Sequence, residues 1–145
     1  MKNVALALLL LVAVTACNQS GNKKTENKKE ESSTTVTADA SIVNVYYFHG
    51  KQRCKTCIAV GNVAKETIEK NFAGNNQVRF IEVNTSEKEN DALVEKYDVS
   101  WNALIIAKGE QSKDITEQAF ATAVGNSEKL TEEIITIVKS MSEEK

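Results

Sequence analysis

Two cysteines separated by two residues, Cys54 and Cys57, stand directly before a segment in which Ile58, Val60, Ala64, Thr67, Ile68 and Phe72 recur at helical spacing. A C-x-x-C pair at the start of a helix suits thiol–disulfide exchange. One helical turn keeps the two sulfurs within bonding reach, while the helix dipole and its unpaired N–H groups favour thiolate at the first cysteine. In that arrangement Cys54 attacks and Cys57 resolves the mixed disulfide. Lys51, Arg53 and Lys55 put three cations within five residues of a stretch, 41–145, that holds 13 basic against 16 acidic side chains. This local reversal of sign lowers the thiolate pKa further. Two other readings of the pair stand beside this one: a static structural disulfide, and half of a zinc site. A structural zinc takes four protein ligands, and 41–145 offers only these cysteines and His49, the single histidine of the chain.

His49 either closes the preceding strand as a polar residue or stands beside Cys54, stabilising thiolate or acting as a third ligand. With Cys54 and Cys57 it would form a soft-ion site for arsenite or Cu(I), because thiolates select soft metals. Trp101 either packs in the core or its loop, or walls a groove beside the pair.

The elements that must position these residues follow from patterning. Ile42–Phe48 is rich in β-branched and aromatic residues and predicts a buried strand, in which Tyr46 and Tyr47 point to opposite faces. A helix then runs from the cysteine pair to near Gly74. Gly61 inside it costs about 1 kcal/mol relative to Ala, so it has a packing reason or marks a kink. A second strand is predicted at Val78–Val83. Ser86 with Glu89 three residues on forms a capping-box pattern opening a helix that carries Ala92, Leu93 and Tyr97. Ala103–Ala107 is a third strand, Lys108–Gln111 a turn and Ser112–Ile115 its hairpin partner. A short helix starts at Thr116 and includes Phe120; Leu130, Ile134, Ile137, Val138 and Met141 mark an amphipathic C-terminal helix. The order βαβαββα(α) predicts an α/β fold with a central mixed β-sheet flanked by helices.

The preceding residues read differently. Met1-Lys2-Asn3, the 11-residue apolar run Val4–Val14 and Thr15-Ala16-Cys17 have the three-part layout of a secretory signal. The run is too short for a permanent membrane span, which needs roughly 20 residues. Val14-Thr15-Ala16-Cys17 resembles the bacterial lipobox, which implies cleavage after residue 16 and lipidation of Cys17. The alternative is a plain secretory signal cleaved nearby, leaving Cys17 as a spare thiol. Residues 18–40 pair lysines with glutamates and serines and hold hardly any large apolar side chain, too little to offset their ordering entropy. Residues 17–40 are therefore expected to tether a domain at 41–145 roughly 25 Å from a membrane surface. A formal net charge of −2 gives no basic excess, so nucleic acid is excluded as an electrostatic partner.

Over 41–145 the strand, C-x-x-C, helix and strand succession resembles the thioredoxin superfamily, whose three-layer fold is the expected architecture. More narrowly, Tyr46-Tyr47-Phe48-His49-Gly50 and Arg53-Cys54-Lys55-Thr56-Cys57 are similar to small bacterial thioredoxin-like lipoproteins described as nitrophenyl compound nitroreductase subunits, which accompany arsenic-resistance transporters. That resemblance implies an envelope thiol–disulfide oxidoreductase or electron carrier, with its domain in the periplasm or extracytoplasmic space. Its implied partners are an integral-membrane electron donor or transporter and protein or small thiol and disulfide substrates. No flavin or dinucleotide glycine motif is present, so no cofactor is assigned and nitroreduction would need a partner subunit. The chain departs from thioredoxins in three places. Lys55-Thr56 replaces Gly-Pro, Arg53 replaces Trp before the first cysteine, and the cis-proline position falls on Ala103. Alanine strongly disfavours cis, so the loop before it is expected to be trans with a reshaped docking edge. Restoring proline there should alter partner choice more than the fold.

Overall fold

The computed structural model describes residues 40–144; Cys17, the signal and nearly all of the tether lie outside the described residues. Strand β1 (Val43–His49) leads through a short loop to helix α1 (Lys55–Asn71), and β2 (Val78–Asn84) follows. A 3₁₀ turn (Lys88–Asn90) runs into α2 (Asp91–Lys96), then come β3 (Ala103–Lys108), β4 (Gln111–Asp114), α3 (Thr116–Thr122) and α4 (Ser127–Glu143). The sheet order is β2-β1-β3-β4. β1 runs parallel to β2, with Tyr47 opposite Glu82, and antiparallel to β3, with Phe48 opposite Ala103. β3 and β4 close an antiparallel hairpin through Gly109, whose positive φ of 58° suits a residue without Cβ. This open mixed sheet flanked by helices is what the patterning predicts, and it has the thioredoxin-like three-layer α/β architecture that the resemblance implies.

Because both faces are covered, β1 has no solvent side and is apolar from Val45 to Phe48. Val43, Val45 and Tyr47 pack with Leu104 and Ile106 under α1, α3 and α4. Tyr46 and Phe48 point the other way, into a smaller cluster with Val83, Ala103 and Ile105 that Leu93, Val94 and Tyr97 cover. There the Tyr46 hydroxyl is pushed up to about 12, first by burial and then by Tyr97 beside it. α4 buries Leu130, Ile134, Val138 and Met141, each worth about 1.5–3 kcal/mol when fully enclosed. Its last turn carries no basic residue of its own. Lys108 of β3 supplies the cation instead, donating from Nζ to the carbonyls of Met141 at 2.7 Å and Glu144 at 2.5 Å, where the helix dipole is negative.

Gly61 has the packing reason that its cost requires. A Cβ there would lie 2.6 Å from Tyr47 Cε1, so α1 rests directly on the Tyr47 ring. The gain of about 1 kcal/mol in helix propensity from alanine would be outweighed by that overlap, since overpacking of a tight core costs about 1–3 kcal/mol.

The capping box at Ser86 is not formed. The 3₁₀ turn has Glu87 at its N-cap with no side-chain bond. Asn84 organises the corner instead: its Oδ1 accepts from Ser86 N at 3.1 Å and its Nδ2 donates to Glu87 Oε1 at 2.7 Å. An Asx turn competes for the same backbone groups as a helix cap, and here it shortens α2 to six residues.

Candidate functional site

Cys54 is the N-cap residue of α1, in extended backbone conformation. Its Sγ accepts the Cys57 N–H at 3.1 Å, and its carbonyl accepts from Ile58 N at 3.0 Å. The first turn of α1 contains no acidic side chain, so no charge of the helix's own offsets the positive end of its dipole at Cys54. The two cysteines are joined as a disulfide with Cα atoms 5.0 Å apart. Their exposure differs: Cys54 lies open to solvent, while Cys57 is 5% exposed. The asymmetry has a simple origin, since the N-cap sits at the helix rim and the residue three positions on turns toward the sheet.

Alternation along the strands brings a second set of groups under the pair. On β2, Val78 and Phe80 face the α1 side, so Glu82 does too. The parallel register sets it beside Tyr47. The Tyr47 hydroxyl donates to the Cys57 carbonyl at 2.6 Å. Burial raises the Tyr47 pKa, the nearby Arg53 lowers it and Glu82 raises it; the hydroxyl therefore keeps its proton and its donor role. Glu82 Oε1 receives a hydrogen bond from Arg53 Nη1 and lies 3.3 Å from His49 Nε2. His49 also contacts the Gly50 carbonyl through Nδ1 at 2.8 Å, and its ring lies 5.6 Å from that of Tyr47.

His49 closes β1 as its last residue, with its ring set between the Gly50 carbonyl and Glu82. Among the described residues no group of three or more His, Cys, Asp or Glu side chains gathers as a metal site. Lys51 and Lys55 are exposed and make no ion pair among the described residues, whereas Arg53 does. The cationic cluster is therefore partly neutralised, by a carboxylate that the sequence reading left unassigned.

A cleft of about 180 Å³ opens beside the cysteine loop, lined by Gly50, Gln52, Thr85, Ser100, Trp101 and Asn102. Trp101 is 79% exposed and belongs to the wall of this groove, not to a core. Ala103 does not line it. Ala103 is a buried residue of β3 packed in the cluster with Phe48 and Ile105. The residue before it, Asn102, does line the cleft, and its buried Oδ1 has no hydrogen-bond partner.

No protein-family model matches the chain, and neither does any curated protein. A solved structure described as that of a malarial protein is similar at a TM-score of 0.38 and 20% identity, over 57% of this chain and 93% of that one. The sheet order, the flanking helices and the helix-capping cysteine together describe a thioredoxin-like fold carrying a disulfide-capable Cys-x-x-Cys pair.

Proposed function

We propose that this protein is a thiol–disulfide oxidoreductase or electron carrier in which Cys54 attacks and Cys57 resolves. The observation that carries the reading is the asymmetry of the pair. Cys54 is exposed at a helix N-terminus with its sulfur on a backbone N–H, and Cys57 is buried behind it. In the reduced form, Cys54 thiolate attacks one sulfur of a substrate disulfide. A Cys54–substrate disulfide forms, the substrate S–S bond breaks, and the leaving thiolate takes up a proton. Cys57 then loses its proton and attacks Cys54 Sγ, which forms the intramolecular disulfide and releases the second substrate thiolate. Two electrons have passed to the substrate, and an external dithiol must return them by the reverse exchange. The Cys57 N–H and Tyr47–Cys57 contacts hold the sulfurs in register through these steps.

The setting follows from the sequence reading: an envelope protein lipidated at Cys17, served by an integral-membrane electron donor, in an arsenic or nitroaromatic detoxification system. One experiment addresses reaction and setting together. Dithiothreitol-driven reduction of insulin is measured on membrane vesicles bearing the full chain and on the soluble fraction of a Cys17→Ser strain, with arsenite as competitor. The reading predicts turnover in both, with the wild-type activity sedimenting and the variant remaining soluble. Stoichiometric arsenite capture without turnover would replace exchange by soft-ion binding, and wild-type activity that does not sediment would remove the anchor.

A further inference from the structure

We infer that Glu82 is the residue that sets the redox poise of the cysteine pair, by neutralising Arg53 beside Cys54; this rests on the exchange chemistry proposed above. Three contacts place the carboxylate in the surroundings of the cysteine pair. Glu82 Oε1 accepts from Arg53 Nη1, and Arg53 directly precedes the attacking cysteine. The same Oε1 lies 3.3 Å from His49 Nε2, so one oxygen serves both cationic or polar neighbours. Tyr47, opposite Glu82 in the β-ladder, bonds the Cys57 carbonyl.

The electrostatic sign follows from these positions. A thiolate at Cys54 would be stabilised by the full charge of Arg53, but with Glu82 in place the guanidinium–carboxylate pair is close to neutral. Lys51 and Lys55 are exposed, where solvent screens them. Arg53 and Glu82 are exposed as well, but the carboxylate fixes the guanidinium in place, whereas the two lysines make no ion pair among the described residues. Glu82 thus holds the thiolate less stable than the basic run of the sequence implies. A less stable reduced form makes the disulfide harder to reduce, so the carboxylate shifts the protein toward the reductant side. Glu82 touches neither sulfur and is a positioning residue acting through Arg53.

The test is the equilibrium of the full chain with reduced and oxidised glutathione, which transfers two electrons: protein disulfide plus two glutathione thiols gives protein dithiol plus glutathione disulfide. Glu82→Gln keeps the shape and an accepting oxygen but removes the charge. It is expected to raise the equilibrium constant for reduction by roughly three- to tenfold, about 15–30 mV on the two-electron scale, and to lower the apparent pKa of Cys54 alkylation. Arg53→Gln, which removes the other member, is expected to move both quantities the opposite way. Both shifts should shrink in 1 M salt, where screening reaches about 3 Å; a purely structural role for Glu82 would change thermal stability and leave the salt dependence flat. An unchanged or lowered equilibrium constant in Glu82→Gln, with the wild type equilibrating normally, would overturn this inference alone. A wild-type pair that never equilibrates with glutathione would overturn the exchange reading itself.

Discussion

Cys57→Ser is expected to accumulate as a covalent adduct through Cys54, one equivalent of substrate per chain, whereas Cys54→Ser should fall to the uncatalysed background and form no adduct. The expectation follows from the geometry of the pair. Cys54 remains exposed at the N-cap, with the residue-57 N–H still aimed at its sulfur, so the first attack survives loss of Cys57. The second step does not survive, because serine's hydroxyl is not deprotonated at neutral pH and cannot displace the substrate sulfur. The mixed disulfide then persists until an external thiol removes it. A structural staple predicts a different pattern. Bridging residues three apart in sequence constrains the unfolded chain by only about 2 kcal/mol in the loop-entropy model. Both serine variants would then lose the same modest stability and neither would trap anything. Non-reducing electrophoresis and intact mass of each variant after incubation with a protein disulfide separate the two patterns.

Ala103→Pro is expected to destabilise the domain strongly, while Asn102→Pro leaves it folded. In an antiparallel strand, successive residues turn their N–H and C=O groups to alternate sides. The Leu104 N–H and C=O are engaged on the β4 and α3 side, by Thr116 Oγ1 at 3.0 Å and Ile115 N at 3.0 Å. Ala103 therefore turns its own pair toward β1, where Phe48 stands opposite. Proline at 103 would delete that donor and leave the Phe48 carbonyl unsatisfied in a fully buried strand, a loss of about 1–3 kcal/mol before any clash of the ring. For a domain of this size that is a fall in Tm of roughly 5–20 °C. Asn102 precedes the strand, and its buried Oδ1 has no partner to lose. Thermal unfolding of the two variants checks the contrast; equal melting temperatures would place Ala103 in the loop after all. The expectation that proline at 103 acts on partner choice more than on the fold is thereby revised, since the groove-lining position is Asn102.

The order of elements was legible because hydrophobic periodicity reports directly on what each segment buries. β1 is apolar at most positions because helices cover both sheet faces, with Asn44 its one buried polar side chain, and α4 shows its one buried stripe. That the cysteine pair stands at the start of a helix was legible for a similar reason, because the helical period begins right after it; that Cys54 itself is the N-cap came from the structure. Glu82 was not legible from local sequence. Its partner Arg53 is 29 residues away, and only the parallel register of β1 and β2 brings the two together. One signal was present: Glu82 follows Val78 and Phe80 at period two, so a charge stands on the face that its neighbours mark as buried. Ala103 was legible as the start of β3, but its pairing with Phe48 was not, because that register is set by a strand more than fifty residues earlier in the chain. The false capping box arose because Ser86 and Glu89 satisfy a spacing rule, while Asn84 two residues earlier takes the backbone groups first.

Exchange through this pair requires Cys54 to be a thiolate nucleophile made by a helix N-terminus, and the most direct measurement is the rate of iodoacetamide alkylation of each cysteine in the reduced protein as a function of pH. Residue-resolved mass spectrometry reads the two sites separately. The geometry predicts that Cys54 is alkylated first, with its rate reaching half-maximum clearly below the ordinary thiol pKa of about 8.5, and that buried Cys57 lags at every pH. Cys54 titrating at or above that value, or Cys57 reacting first, would contradict it.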